Sequence, residues 1–217
     1  MELVEVFIPE IIKKKKSEIV VYKKKDFKKT NDLKYFTANE IKTLILKTEK
    51  GFYKYIYQVL FETGARIEEL REVRFKDIDI ENNRMRVKTL KQKELIYRSL
   101  PFSAELKAAL LQYKLLNELC NDDFVLAKKA GKAPLTRQGI TTQLKKDCLK
   151  YLDLKNNINV HRFRHSRAIF LLNNKVNLVQ LQKFLVHSDI RNTLIYLKYA
   201  DEHFDNAIHT ANNEFYK

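Results

Sequence analysis

The stretch HRFRHS, residues 161–166, places two arginines and two histidines side by side without an acid. On a helix His161, Arg164 and His165 would share one face, because residues three and four apart are neighbours there. The spacing of the two histidines matches a zinc helix of the form His-Glu-x-x-His, but Arg162 stands where the glutamate belongs and its charge opposes a dication. Crowded cations need an anion, so the stretch favours a phosphate site over a metal site.

A second cationic island lies upstream, where residues 63–70 read TGARIEEL. Gly64 indicates a turn that opens a short helix, and Arg66 falls in the first turn of that helix. Free N–H groups at a helix start attract anions, and the fork of an arginine adds bidentate phosphate recognition. The alternative, that Arg66 only pairs with Glu69, is equally compatible with these residues.

The third island is HSDIRNTLIY, residues 187–196, in which Tyr196 ends a run that begins with His187. A tyrosine alone would be interpreted as core filler, since the chain has 11 of them. Its distance from the histidine of a polar island makes Tyr196 a candidate for chemistry.

Hydrophobic periodicity predicts a mostly α-helical fold with one small β-hairpin or sheet, an α+β domain. The sequence TANE at 37–40 has the form of a capping box and marks the start of the compact domain. Strand-like alternation covers 84–90 and 95–100, and residues 91–93 form the turn between them. A further short strand is expected at 124–126. Helical spacing recurs at 41–45, 52–60, 66–73, 106–113, 140–148 and 168–172.

The chain of 217 residues is basic, with 42 Lys and Arg against 27 Asp and Glu and a net charge of +15. Such a surplus favours a polyanion as partner, but by itself it does not separate DNA from RNA or an anionic membrane surface. A hydrophobic fraction of 45% excludes a generally disordered chain. The absence of a long apolar run predicts a cytoplasmic protein, in which Cys120 and Cys148 stay reduced.

Taken together, the three islands resemble the tyrosine recombinase (phage integrase) family, most closely its Xer-like branch. The resemblance consists of Thr-Gly-x-Arg-x-x-Glu-Leu around Arg66, His-x-x-Arg-His-Ser from His161, Leu-x-His-Ser-Asp-Ile around His187, and Tyr196. Several motifs in the family's order make chance agreement a poor explanation.

The resemblance implies the family's catalytic-domain fold over residues 37–200. Residues 1–36 would be a basic N-terminal extension, in place of the helical core-binding domain that the family usually carries. Residues 201–217 would form a C-terminal helix that docks into a neighbouring subunit, although packing on its own domain is equally compatible with its apolar stripe. Two departures from the family pattern are Val186, where a glycine is usual, and Phe163, where a leucine is usual.

The family also implies a DNA strand-exchange reaction without a metal ion, ATP or another cofactor. Tyr196 would attack the scissile phosphate and form a 3′-phosphotyrosyl link. Arg66 and Arg164 would bind the non-bridging oxygens, and His187 would bind the phosphate or position the nucleophile.

Proton transfer would fall to two further residues of the implied site. His161 would assist at the tyrosine, and Lys91 on the hairpin would protonate the leaving 5′-oxygen. Lys93 is the competing assignment for the hairpin lysine. Glu69 is expected to orient the helix that carries Arg66, as a structural residue.

Double-stranded DNA is the implied partner, bound by a homotetramer on paired sites, with a partner recombinase or accessory protein as a further option. Lys93, Arg137 and Arg162 are the expected DNA-contacting side chains, and the protein is expected at the nucleoid, away from membranes. Three alternatives stay open at this point: a non-catalytic DNA-binding relic of a recombinase, a basic RNA-binding protein, and a type IB topoisomerase.

Overall fold

The computed structural model describes residues 33–91 and 94–199, together with Asn213. Contacts divide the chain into a first unit, residues 1–33, of which Leu33 alone is described, and a second unit from Lys34 onward. The expected basic extension and C-terminal helix therefore lie outside the described residues, apart from residues 33–36 and Asn213.

The second unit is mostly helical with one small antiparallel sheet, which confirms the predicted fold class. Its α-helices are α1 (Ala38–Lys47), α2 (Gly51–Thr63), α3 (Ile67–Arg71), α4 (Ala104–Leu116), α5 (Arg137–Leu152), α6 (His161–Asn173), α7 (Leu178–Leu185) and α8 (Arg191–Leu194). The strands are β1 (Ile78–Asp79), β2 (Arg84–Lys91) and β3 (Glu94–Pro101), and short 3-10 turns cover Phe75–Asp77 and Leu197–Tyr199. No helix in the described ranges is long and apolar enough to cross a membrane.

Helix α1 begins with the predicted capping box. The backbone N–H of Glu40 donates to Thr37 Oγ1 at 3.2 Å, and that of Thr37 donates to Glu40 Oε2 at 2.7 Å. These bonds satisfy two N–H groups that a helix start leaves without intrahelical partners. The helix then buries Ile41 and Leu44 against α2 and α5.

Helix α2 ends at Gly64, which adopts the left-handed conformation at φ 55°. A β-carbon there would lie 3.1 Å from side-chain carbons of Arg167 and Phe184. Glycine therefore meets two requirements at once, a positive φ and a close approach of neighbouring side chains. The turn leads directly into Arg66, one residue before α3.

The sheet has the order β1-β2-β3, and in the β2–β3 hairpin Val87 pairs with Arg98 and Lys91 with Glu94. Strand β2 extends one residue further than the alternation predicted, because Lys91 still pairs. The short strand expected at 124–126 is absent from the described fold, where Phe124 forms only an isolated bridge with Arg74.

Helix α7, which the apolar periodicity did not identify, ends at Val186 in the left-handed conformation (φ 53°, ψ 48°). A β-branched residue is disfavoured there, because its side chain crowds the following carbonyl. The turn that carries His187 thus keeps a geometry suited to glycine although the residue is valine. Phe163, the other departure, is fully buried and stacks on Tyr57 with ring centroids 5.5 Å apart.

Candidate active site

Arg66 lies at the N-cap of α3 with its side chain 42% exposed. Its Nη1 donates to Glu69 Oε1 at 3.0 Å, and its backbone N–H donates to Glu69 Oε2 at 2.8 Å. The pairing of Arg66 with Glu69 that one sequence interpretation predicted is present, and the phosphate-binding role stays a prediction. Glu69 holds the turn, as expected, and the guanidinium keeps an open side toward solvent.

Arg164 is 2% exposed, and helix α6 presents it to the ends of two other helices. Its Nη1 donates to the carbonyl of Gly64 at 2.8 Å, and its Nη2 donates to that of Leu185 at 2.6 Å. Burial, together with the charges of Arg66 and Arg98, lowers the pKa of Arg164 to about 10. The guanidinium stays cationic at neutral pH in a place where charge is costly to bury.

His187 follows the α7 turn and is fixed by Thr193, whose Oγ1 lies 3.0 Å from His187 Nδ1. Burial and then the positive charges of Arg164 and Arg66 lower the pKa of His187 to about 4. The imidazole is therefore neutral at pH 7 in the DNA-free protein.

Tyr196 is 2% exposed and lies between two imidazoles. Its Oη is 2.9 Å from His165 Nδ1, and its ring is nearly parallel to that of His187, with centroids 6.4 Å apart. Burial raises the pKa of Tyr196, while the nearby charges of Arg164 and Arg66 act in the opposite direction. An arriving anion would thus meet a neutral phenol beside two cations.

His161, the most exposed of the three histidines, packs edge-on against His165 with ring centroids 4.5 Å apart. Partial burial and then the charges of Arg164, Arg66 and Arg137 lower the pKa of His161 to about 4. His161 and His165 do lie on one face of α6, as the sequence predicted, but it is His165 that contacts the phenol of Tyr196.

The remaining sequence candidates are placed differently. Lys91 occupies the last paired position of β2, and Lys93 lies outside the described residues. Arg137 is exposed at the first residue of α5. Arg162 is only 7% exposed and stacks its guanidinium 4.6 Å over the ring of Phe36, so it has little surface to offer a DNA phosphate.

Sequence reasoning missed Arg98, whose Nη2 donates to Glu69 Oε2 at 2.5 Å and whose Nη1 donates to the carbonyl of Phe184 at 3.0 Å. It also missed Thr89, which donates to Glu69 Oε1 at 3.0 Å. A signal was present: Arg98 lies two residues before the buried Leu100 on β3, so its side chain is on the same, inner face of the sheet. A cation in that place indicates a buried acid as partner.

The charges of this cluster do not balance within the described part of the chain. Arg66, Arg98 and Arg164 influence one another, and the carboxylate that acts on Arg164 is Glu69. Burial disfavours the charged form of Glu69, but Arg98 and the hydrogen bonds from Arg66 outweigh it and hold its pKa below the ordinary value. Three cations against one anion leave a site suited to a phosphate. Among the described residues no cluster of His, Cys, Asp or Glu is arranged to hold a metal ion.

Comparison with known proteins shows the family of the chain. The model of the phage integrase family matches residues 34–203. The chain belongs to that family. Tyrosine recombinase XerC of Oceanobacillus iheyensis is 29% identical over 181 residues, 80% of this chain and 56% of that protein. Tyrosine recombinase XerA of Saccharolobus solfataricus is 36% identical over 145 residues, 66% of this chain and 44% of that protein.

Solved structures share the fold of this phage integrase family member. The crystal structure of XerA recombinase superposes with a TM-score of 0.70 at 20% identity, covering 85% of this chain and 65% of the other. The Tn1549 transposon integrase in complex with transposon right end DNA gives a TM-score of 0.67 at 20% identity, covering 86% and 68%. The chain spans about half the length of the curated relatives it matches, 56% and 44% in the two cases above.

Proposed function

We propose that this chain carries the catalytic domain of a site-specific DNA recombinase, with Tyr196 as the nucleophile. The supporting observation is that the fold brings three distant segments together: Arg164 donates to the carbonyl of Gly64, two residues before Arg66, and its neighbour His165 lies 2.9 Å from the phenolic oxygen of Tyr196. A phenol beside two guanidiniums meets the needs of phosphoryl transfer from DNA to tyrosine. In this proposal the domain spans residues 37–200, and the basic extension at 1–36 and the C-terminal helix expected at 201–217 stay predictions.

In the proposed reaction Tyr196 Oη attacks the scissile phosphorus while the bond from phosphorus to the 5′-oxygen breaks. Arg66, with its exposed side, binds one non-bridging oxygen, and Arg164 binds the other with donors that its carbonyl contacts leave free. His187 donates a hydrogen bond to the same phosphate. One phosphate ester replaces another, so the 5′-hydroxyl of a second strand can reverse the step without ATP.

Two protons move in this step. The phenolic proton passes to His165, which lies within hydrogen-bond distance of Tyr196, with His161 beside it. The leaving 5′-oxygen takes a proton from Lys91. Position 91 follows Thr89 by two along β2, and positions two apart share a face of a sheet. Thr89 contacts Glu69 on that face, so position 91 lies on the same face as this contact, and Lys93 stays the competing assignment.

DNA is the proposed partner, held as a duplex by a homotetramer on paired sites, with or without a partner recombinase or accessory protein, at the nucleoid. Arg137 is well placed for a phosphate contact, because it is exposed and its charge acts on His161. Lys93 is retained as a second contact, and Arg162 is not. The segment around α8 must shift when DNA binds, since the phenol of Tyr196 is buried.

The test is covalent capture on a pool of nicked duplexes with randomised sequence. A nick beside the scissile phosphate lets the leaving fragment diffuse away, which traps the phosphotyrosyl product. We expect the wild-type chain and Tyr199→Phe to form adducts that survive denaturant, and Tyr196→Phe to form none while still binding duplex DNA. Sequencing the trapped DNA would report the target.

Each alternative predicts a different result. Duplex binding with no wild-type adduct would identify a non-catalytic relic, and preference for structured RNA would identify an RNA-binding protein. Adducts formed without sequence preference, with relaxation of supercoiled plasmid, would identify a topoisomerase. Adducts in Tyr196→Phe would disprove the assignment of the nucleophile.

A further inference from the structure

We propose that Arg98 is a positioning residue for DNA cleavage: it takes up the charge of Glu69, so that Arg66 keeps its own charge for the phosphate. The inference rests on the proposed function, since it concerns the same site. Arg98 lies on β3, outside the three islands of sequence, and would not touch the DNA.

The hydrogen bonds of Glu69 carry the first step. Its Oε1 accepts from Arg66 Nη1 and Thr89 Oγ1, and its Oε2 accepts from the backbone of Arg66 and from Arg98 Nη2. The carboxylate thus serves two guanidiniums. The ion pair of Arg98 with Glu69 is the more buried one, since the side chain of Arg98 is 10% exposed and that of Glu69 is 9% exposed. The side chain of Arg66 is 42% exposed.

Charge compensation follows from this geometry. A buried carboxylate without Arg98 would have Arg66 as its one described guanidinium partner, and the pair would be neutral. With Arg98 present, the group of three carries one net positive charge, and the exposed member is Arg66. Because electrostatic attraction of a phosphate is strong in a partly desolvated site, that charge decides how well the transition state is stabilised.

Arg98 also fixes the end of α7. Its Nη1 donates to the carbonyl of Phe184, and Arg164 Nη2 donates to the next carbonyl, that of Leu185. Carbonyls in the last turn of a helix have no intrahelical partner, so these donors satisfy groups that would otherwise be buried and unpaired. The turn of Val186 and His187 follows immediately. Arg98 therefore bears on the position of His187 as well as on the charge of Arg66.

The test compares Arg98→Met and Arg98→Lys with Arg86→Gln, a control on the exposed outer face of the same hairpin. We expect Arg98→Met to slow single-turnover adduct formation at saturating DNA by about tenfold or more. Its dissociation constant for duplex DNA should change by less than about threefold, because most phosphate contacts lie elsewhere. Arg98→Lys should recover part of the rate through its charge, and Arg86→Gln should match the wild-type rate.

Charge removal from Glu69 separates positioning from a merely structural role. In the double variant Arg98→Met with Glu69→Gln, Arg66 is no longer neutralised, so the rate should recover by about threefold or more over Arg98→Met alone. A purely structural role predicts that removing a second partner makes the site worse. A folded Arg98→Met variant with the wild-type rate, or a double variant no faster than Arg98→Met, would overturn the proposal.

A second readout does not depend on cleavage. Titration with inorganic phosphate, followed by the backbone amide signals of Arg66 and His187, measures the anion affinity of the cluster. We expect Arg98→Met to weaken phosphate binding by about threefold or more, and Glu69→Gln to restore it in the double variant. If the wild-type chain forms no adduct but the phosphate affinities follow this order, the proposed function fails while the compensation of the Glu69 charge by Arg98 stands. Equal phosphate affinity in all variants contradicts that role.

Discussion

The phenolic oxygen of Tyr196 lies 2.9 Å from Nδ1 of His165, so the candidate nucleophile has an imidazole as its direct partner. Burial and then the charges of His161 and Arg164 lower the pKa of His165 to about 3. A neutral imidazole can accept the phenolic proton through Nδ1 when its own proton sits on Nε2. A bound phosphate would offset the nearby positive charges and raise the pKa of His165, which makes the imidazole a better proton acceptor when DNA is in place. His165, rather than His161, thereby becomes the candidate base.

Replacement of His165 tests this assignment. We expect His165→Ala to slow adduct formation by about a hundredfold, the usual magnitude for losing a general base. His161→Ala should cost less, because His161 contacts the phenol only through His165. Single-turnover adduct assays from pH 6 to 9 measure both, and a larger loss in His161→Ala would return the role to His161.

Acid should destabilise the fold partly through two of these histidines. The ordinary histidine pKa is about 6.5, while burial and neighbouring cations bring His165 to about 3 and His187 to about 4. Between about pH 6.5 and 4 the unfolded chain binds protons at these positions that the folded chain does not, so the free energy of unfolding falls as pH falls.

Urea denaturation across this window measures the effect. Carboxylates with lowered pKa values also lose stability in acid, so the control is the double variant His165→Asn with His187→Asn. Its free energy of unfolding should depend less steeply on pH than that of the wild-type chain. Equal slopes would show that the histidines do not titrate differently in the folded and unfolded states.

The two carbonyl contacts of Arg164 predict that lysine cannot replace it. Lysine carries one ammonium group and cannot reach both Gly64 and Leu185 in the planar arrangement of a guanidinium. We expect Arg164→Lys to lose about 1–3 kcal/mol in the free energy of unfolding, because a buried carbonyl is left unpaired. We also expect this variant to form no detectable adduct. The exposed Arg84→Lys serves as the control, measured by denaturation and adduct formation together. Full cleavage in Arg164→Lys would refute the requirement for the fork.

Val186→Gly should stabilise the protein. The left-handed backbone at this position costs a β-branched residue about 1–2 kcal/mol, and glycine removes that strain at some cost in entropy. We expect a net gain of about 1 kcal/mol in the free energy of unfolding. Val179→Gly, at an exposed position inside α7, is the matched control and should lose about 0.5 kcal/mol. A loss at both positions would mean that Val186 is held by its side-chain contacts.

Local sequence signals predicted the elements that depend on local physics. The capping box at Thr37 and the hairpin over 84–100 follow from side chains within a few residues of each other. The islands around Arg66 and His161 were also recognisable, because their residue types are rare on an ordinary surface and their order matches a family.

Pairings between residues far apart in the chain could not be predicted from the sequence. The bonds of Glu69 to Arg98 and Thr89 cross from a helix to both strands of a hairpin, and no spacing rule encodes them. The contact of His165 with Tyr196 spans two distant segments for the same reason. Arg162 misled the sequence interpretation because an arginine beside a cationic island resembles a surface contact, whereas Phe36 covers it.

Two guanidiniums from different elements hold neighbouring carbonyls at the end of α7, Arg98 from the hairpin and Arg164 from α6. A displacement of the hairpin by a bound duplex would therefore be transmitted to the backbone just ahead of His187, without any contact between that imidazole and the strand. The proposed acid at the hairpin and the imidazole at the phosphate would then respond jointly to the same segment of DNA.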